Sequence, residues 1–340
     1  AAMIDIPGLN YRAHRYKEAY DQLPQNLILG SETASTVSSR GVYKFPVEDK
    51  KSATYDDHQC SSYDVEACSW SNIPDEDFAL ADDNHWTIGQ FVWTGFDYLG
   101  EPSPYDTNAW PNHSSMFGII DLASIPKDRY YLYRSVWNKK AETLHILPHW
   151  TWPGREGKVT PVFVYTNHPT AELFINGKSY GKQSKNNSSL KNRYRLMWMD
   201  AVYEPGEIKV VAYNKDGKAV AEKIVRTAGK PHHIELVSNR NKLTADGKDL
   251  AYITVKVVDK DGNLCPADSR QINFSVKGAG KYRAAANGDP TNLEQFHLPK
   301  MHTFNGMLTA IVQSGETAGE IVLTAKASGV KAGNIRIQTK

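Results

Sequence analysis

The sequence predicts a multidomain chain in which a parallel α/β segment is followed by two β-sandwiches. The aromatic residues divide it first: seven of the eight tryptophans and eleven of the eighteen tyrosines precede residue 153. Strand-like and helix-like runs alternate within that first part, which is the pattern of a parallel sheet. From about Thr143 onward the runs become short, alternate apolar with polar residues, and are separated by tight-turn signals.

In order along the chain, the first part reads as a short strand at residues 3–6, a helix over 12–22 and a strand over 26–30. Pro24 stops the helix, since proline has no amide proton and its ring clashes with the preceding turn. A long irregular region and a strand over 88–96 follow. Within NLILGSETAS, residues 26–35, three large apolar side chains stand in a row, as in a parallel strand buried on both faces. In a parallel α/β barrel the residues just after such a strand stand at the mouth where active sites form, so Glu32 is placed for chemistry. A second reading stays open on position alone: with Ser31 and Thr33 beside it, Glu32 could cap the next helix.

The stretch TIGQFVWTGFDYLGEPSPY, residues 87–105, is an apolar strand that ends in aromatics and acids. Trp93, Phe96 and Tyr98 could stack on the apolar faces of a sugar, and Asp97 and Glu101 could accept hydrogen bonds from its hydroxyls. Each has a structural alternative, a tryptophan in the core or a solvated acid near a turn. His58 and His85 read as structural.

The second part reads as two sandwiches. PVFVYTN, AELFING and EIKVVAYN, then AYITVKVVD, INFSVKG and EIVLTAKA, are half-buried strands; residues 176–178, 215–218 and 259–263 are tight turns. A glycine and a proline interrupt the rhythm at TAGKP, residues 227–231. The boundaries that follow are 143–229 and 230–340, each close to the roughly 100 residues of an immunoglobulin-like domain.

Composition excludes several functions. The 340 residues are 40% apolar and 23% charged, and the net charge of +2 comes from 40 basic and 38 acidic residues spread without blocks. Neither a nucleic-acid groove nor a polybasic membrane patch fits that distribution. No apolar run approaches the roughly 20 residues of a membrane helix, and AAMIDIPGLN lacks the regions of a signal peptide. The three cysteines form no CxxC and share no histidine spacing of a zinc site, so no metal or cofactor is expected. Cys60 and Cys68 are expected as free thiols, with pairing across a loop the alternative in an oxidising compartment. Cys265 is left over either way.

Several motifs occur together in order: GLNY, RY, LILGSETAS, RGVY, DNHWTIGQFVWTGFDYLGEPSPY, SSMFGIIDLASIPKDRYYLYRSVW and LHILPHWTW. In this order they resemble the C-terminal part of bacterial β-galactosidases of glycoside hydrolase family 2, in the form common in Bacteroides-type organisms. ELFINGKSYGK and YEPGEIKVVAYNKDGK are similar to the first sandwich appended to those enzymes. LTADGKDLAYITVKVVDKDGNLCP with ANGDPTNLEQF is similar to their last, invasin-like sandwich. The fold this implies is a partial (β/α)8 TIM-barrel segment over residues 1–142, the last strands of the barrel, followed by two immunoglobulin-like β-sandwiches.

The resemblance implies a retaining mechanism, in which two carboxyl groups roughly 5 to 5.5 Å apart flank the glycosidic bond. Glu32 matches the nucleophile at the end of the seventh strand, and Tyr11 the tyrosine of the sixth strand that hydrogen-bonds it. Trp93 matches the tryptophan of the eighth strand that floors the sugar subsite; Asp97 and Glu101 lie in the matching loop as candidate substrate-binding residues. β-Glucuronidases of the family carry an Asn-x-Lys pair before the glycine of FGIID, and here Ser115, Met116 and Phe117 precede Gly118. A neutral sugar such as galactose is therefore expected over an acidic one.

The family's acid/base glutamate sits in an Asn-Glu pair after the fourth strand, and no Asn-Glu pair occurs in the sequence. A barrel of about 250 residues does not fit into 142. The expectation is thus a C-terminal piece of an exo-acting β-galactosidase, inactive alone, whose partners are β-galactoside glycans and the N-terminal portion of the same enzyme. Export to the periplasm or cell surface is implied by the resemblance. The alternatives are a non-catalytic carbohydrate-binding or spacer module of a cell-surface protein, or a β-glycosidase for another neutral sugar.

Overall fold

The computed structural model describes residues 3–106 and 109–340. Residues 1–2 and 107–108 of the expected 1–142 segment lie outside the described residues. The first part contains β1 (Gly8–Asn10), α1 (Tyr16–Gln22), β2 (Ile28–Thr33), the two-residue strands β3 (Lys50–Lys51) and β4 (Glu66–Ala67), α2 (Pro74–Asp83), β5 (Thr87–Val92) and α3 (Asp128–Trp137). Strands β1, β2 and β5 form a parallel sheet in that order, with Asn10 opposite Glu32 and Gly30 opposite Gln90. Parallel strands need long crossovers, and α1 and α2 lie in the two connections. Gly30 permits the close approach of α1: a Cβ there would lie 2.7 Å from the Tyr16 hydroxyl.

Three strand expectations move, and the strand expected over 26–30 is Ile28–Thr33, with Glu32 inside it near its carboxyl end. Residues 3–6 form no strand; Met3 is exposed, and pairing begins at Pro7, whose carbonyl accepts from Leu29 N–H at 3.0 Å. The strand expected to reach residue 96 stops at Val92. Beyond it the backbone turns to residues 117–120, where Ile120 N–H donates to Gly95 and Asp97 N–H to Ile120. The region expected to be irregular contains α2, whose inward face includes the acids Asp75 and Asp77.

The chain continues through β6 (Leu144–Leu147), β7 (Val162–Thr166), β8 (Thr170–Ile175), β9 (Lys178–Ser184), α4 (Leu190–Tyr194), β10 (Leu196–Trp198), β11 (Glu207–Tyr213) and β12 (Ala219–Arg226). These strands form a sheet β10-β7-β6 and a sheet β12-β11-β8-β9. Strand β7 is buried at every position. Phe163 and Tyr165 pack with Tyr63, Phe78, Leu132 and Tyr133 of the first part, while side-chain alternation turns Val162 and Val164 the other way. A buried polar joint reinforces the contact. Arg195 donates from Nε to Asp75 at 2.9 Å and from its two terminal nitrogens to the carbonyls of Tyr63 and Asp64, and Tyr165 Oη donates to the Asp64 carboxylate at 3.0 Å. Residues 1–121, 126–148 and 152–225 accordingly make one compact unit.

The second unit comprises residues 122–125, 149–151 and 226–340. Its strands are β13 (His233–Ser238), β14 (Lys242–Leu243), β15 (Leu250–Val258), β16 (Gln271–Gly278), β17 (Gly280–Ala286), β18 (Lys300–His302), β19 (Met307–Ser314), β20 (Gly319–Lys326) and β21 (Gly333–Thr339). The sheets β13-β15-β19-β17 and β14-β21-β20-β16-β18 share one core. Ile253, Val255, Leu308 and Val312 of one face Ile272, Phe274, Leu323 and Ile337 of the other. Asp259 ties the turn at 259–263 to the TAGKP segment, accepting from Asp261, Asn263 and Gly229 N–H. Burial raises its carboxyl, and these amides outweigh burial and hold it at about 2. All three cysteines are free and buried. Among the described residues no helix is long and apolar enough to cross a membrane.

Candidate active site

The carboxyl ends of the three parallel strands bring the predicted residues together. Leaving β1, Tyr11 donates its N–H to the carbonyl of Glu32 at 2.9 Å. Leaving β5, Trp93 donates its N–H to Thr33 at the same distance. Tyr11, Glu32 and Trp93 thus stand side by side at the end of the sheet where open α/β folds place their ligand crevice. Glu32 caps no helix: the next one, α2, starts at Pro74 behind Ile73 and has no side-chain cap. Its neighbours are tied sideways instead, Ser31 Oγ donating to Asn10 Oδ1 at 2.6 Å and Thr33 Oγ1 to Gln90 Oε1 at 2.7 Å. Glu32 itself keeps partial exposure.

Burial raises the pKa of the Tyr11 hydroxyl, and the Glu32 and Glu101 carboxylates raise it further. Tyr11 therefore stays a hydrogen-bond donor through the neutral range. Trp93 Nε1–H donates to Tyr98 Oη at 3.1 Å, and Tyr98 donates in turn to Glu101. The Trp93 and Tyr98 rings meet edge to face, with centroids 6.1 Å apart. Burial, the Glu101 bond and the Glu101 and Glu32 charges all act to raise the Tyr98 pKa. Three non-glycine residues here hold left-handed backbone: Tyr11 (φ 52°), Ala34 (φ 46°) and Glu101 (φ 45°). Such conformations cost free energy and collect at functional sites.

Asp97 does not join this cluster. Its side chain is 5% exposed and bound to Lys127, with Oδ2 2.7 Å and Oδ1 2.9 Å from Nζ, while Gly118 N–H donates to Oδ1 at 2.7 Å. Burial pushes its carboxyl up to about 6 against the pull of Lys127, whose own pKa burial lowers. Gly118 is needed there, because a Cβ would lie 2.2 Å from the Asp97 amide. Phe96 is exposed and His85 is exposed, while His58 packs on Tyr105 with ring centroids 5.2 Å apart. Ser115, Met116 and Phe117 are buried and bring no cation to this point.

Two supporting cations escaped the sequence reading. Lys127 Nζ also donates to the carbonyl of Ser38 at 2.7 Å. Arg129 is fully buried and binds Asp64 Oδ1 at 3.0 Å, the Phe117 carbonyl at 3.0 Å, Ser38 Oγ at 2.6 Å and the Thr36 carbonyl. Together they lock the segment after Glu32 to the segment before Gly118. In PKDR they look like the solvated start of a helix, and nothing local signals their burial. A carboxylate near a tyrosine hydroxyl and beside an aromatic wall can attack or stabilise an electron-poor carbon, and the wall can carry a sugar face.

The chain is similar to known proteins in both sequence and structure. The profile described as glycoside hydrolase family 2 C-terminal domain 5 matches residues 234–336, and one described only as a domain of unknown function matches 157–221. The β-galactosidase BoGH2A of Bacteroides ovatus is 39% identical over the whole chain, and a putative β-glucuronidase of Formosa agariphila is 34% identical over 74% of it. The chain spans 40% and 24% of the lengths of those two relatives. A β-glycosidase from Bacteroides vulgatus superposes with TM-score 0.86 at 30% identity, covering 99% of this chain and 45% of its own. A family 2 glycosyl hydrolase from Bacteroides cellulosilyticus gives 0.80 at 28% identity, covering 99% and 42%. The chain belongs to glycoside hydrolase family 2, a family of glycosidases, and carries its C-terminal domain 5.

Proposed function

We propose that the chain supplies the nucleophile side of a retaining, exo-acting β-galactosidase that removes terminal β-galactosides. Residues 1–142 are read as the last part of the catalytic TIM barrel, and 143–229 and 230–340 as immunoglobulin-like sandwiches. The observation that carries the reading is Glu32, with Tyr11 and Trp93 on either side of it, at the carboxyl ends of three adjacent parallel strands. Glu32 would attack the anomeric carbon, giving a covalent glycosyl-enzyme that water hydrolyses. Tyr11 would donate to the carboxylate and aim it, and Trp93 with Glu101 would receive the sugar. Asp97 takes a supporting place behind them. A neutral galactoside suits the site better than a uronide, because Ser115, Met116 and Phe117 offer a sugar carboxylate no partner.

Both outer strands of the sheet, β1 and β5, have an open edge among the described residues, and Ile88 and Phe91 on β5 are 50% and 67% exposed. Parallel sheets are covered on both faces and barrels leave no edge, so the reading includes further barrel strands from an upstream portion that also brings the acid/base. Export to the periplasm or cell surface belongs to the same reading.

The test compares this chain alone with the same chain joined to its upstream portion, on nitrophenyl β-galactoside and nitrophenyl β-glucuronide. The joined enzyme is expected to prefer the galactoside. The chain alone is expected to show negligible turnover, since a positioned general acid is worth about 100- to 10,000-fold and much of the pocket is lacking too. Turnover by the chain alone close to that of the joined enzyme would contradict the proposal.

A further inference from the structure

An indole N–H has a hydrogen to donate and no lone pair with which to accept one. Trp93 Nε1 lies 3.1 Å from Tyr98 Oη, so that oxygen is the acceptor. The hydroxyl's single proton is directed elsewhere, and the Glu101 carboxylate receives it. Donor chemistry alone thus orders the relay from Trp93 through Tyr98 to the Glu101 side chain. Bonds in such a chain polarise one another, so each link strengthens the next.

Tyr98 is itself held from behind. Its N–H donates to Ser115 Oγ at 3.1 Å, and its carbonyl accepts from Ser115 N–H at 2.8 Å and from Ser114 Oγ at 3.1 Å. The ring rests near Phe117 with centroids 6.5 Å apart, and the preceding residue, Asp97, is anchored to Lys127. The hydroxyl therefore sits at a fixed point between the Trp93 indole and the exposed Glu101. We infer that Tyr98 is a positioning residue for the proposed reaction, holding the indole and the Glu101 carboxylate in one arrangement against the sugar. This rests on the reading of Trp93 and Glu101 as the sugar-receiving wall. Without the hydroxyl the indole loses its partner and Glu101 regains rotamer freedom, and ordering such a side chain on binding weakens affinity. Both groups meet the sugar before and throughout the reaction, so the loss falls on KM more than on kcat.

In the 15N-labelled chain the Trp93 indole resonance is assigned by its disappearance in Trp93→Phe. Tyr98→Phe, which keeps the ring, is expected to move that resonance upfield and speed its solvent exchange. Glu101→Ala, at an exposed tip, is expected to move it the same way by less. A resonance unmoved by Tyr98→Phe overturns the proposal whatever the enzyme acts on, and one unmoved by Glu101→Ala overturns the link to Glu101. In the enzyme joined to its upstream portion, Tyr98→Phe is expected to raise KM for nitrophenyl β-galactoside about tenfold with kcat within about twofold. An unchanged KM with a shifted resonance overturns the positioning role and leaves the proposed function standing. A parent enzyme inert on the galactoside, again with a shifted resonance, overturns the function and the role that depends on it.

Discussion

Glu32 and Asp97 are both carboxylates at or just past the end of an apolar strand, yet their surroundings give them different work. Glu32 keeps partial exposure beside a tyrosine hydroxyl, whereas Asp97 is enclosed with Lys127 and the Gly118 amide. The first was legible because a buried run that ends on a charge is locally conspicuous. The second was not, because its partner lies 30 residues further along the chain. Removing one member of a buried ion pair leaves the other charge uncompensated, at a cost of about 3–5 kcal/mol. Asp97→Asn is therefore expected to lower the urea midpoint of the chain by that equivalent. An unchanged midpoint would return Asp97 to the list of candidate substrate contacts.

Helix α2 shows why a whole element escaped the sequence reading. Its first turn holds Asp75, Glu76 and Asp77, which suit the positive end of a helix, but Asp75 and Asp77 are also buried. Hydrophobic periodicity looks for apolar residues on the inward face and finds acids there. Asp77 accepts from Asn72 Nδ2 at 2.7 Å, and burial raises its carboxyl to about 7 from an ordinary 3.8. Folding thus takes up a proton between pH 4 and 7, and the native state binds more protons than the unfolded one. Stability from this group is full below the unfolded value and is lost as pH rises to about 7. The span of about three units corresponds to an amount on the order of 4 kcal/mol. Asp77→Asn keeps an acceptor for Asn72 and is expected to flatten the pH dependence of the urea midpoint across that window. An unaltered slope would mean that Asp77 does not titrate there.

For the molecule as a whole, the change of rhythm near residue 143 correctly announces antiparallel sheets, but the first compact unit runs through it. Strand β7 is the reason: PVFVYTN reads as half-buried, and the strand is buried at every position because Phe163 and Tyr165 face the first part. Arg195, Asp75 and Asp64 complete that joint with contacts of high sequence separation, which no local pattern encodes. The sheet strengthens the case for Glu32 in the same non-local way, since only pairing of β1, β2 and β5 aligns Tyr11, Glu32 and Trp93. The central claim is that this chain supplies the nucleophile, and trapping the covalent intermediate tests it most directly. The enzyme joined to its upstream portion would be treated with a 2-deoxy-2-fluoro-β-galactoside bearing a good leaving group, digested, and analysed by tandem mass spectrometry. The account predicts one fluorogalactosyl group on the carboxylate of Glu32 and none in Glu32→Gln; a label on any other residue, or labelling that survives Glu32→Gln, would contradict it.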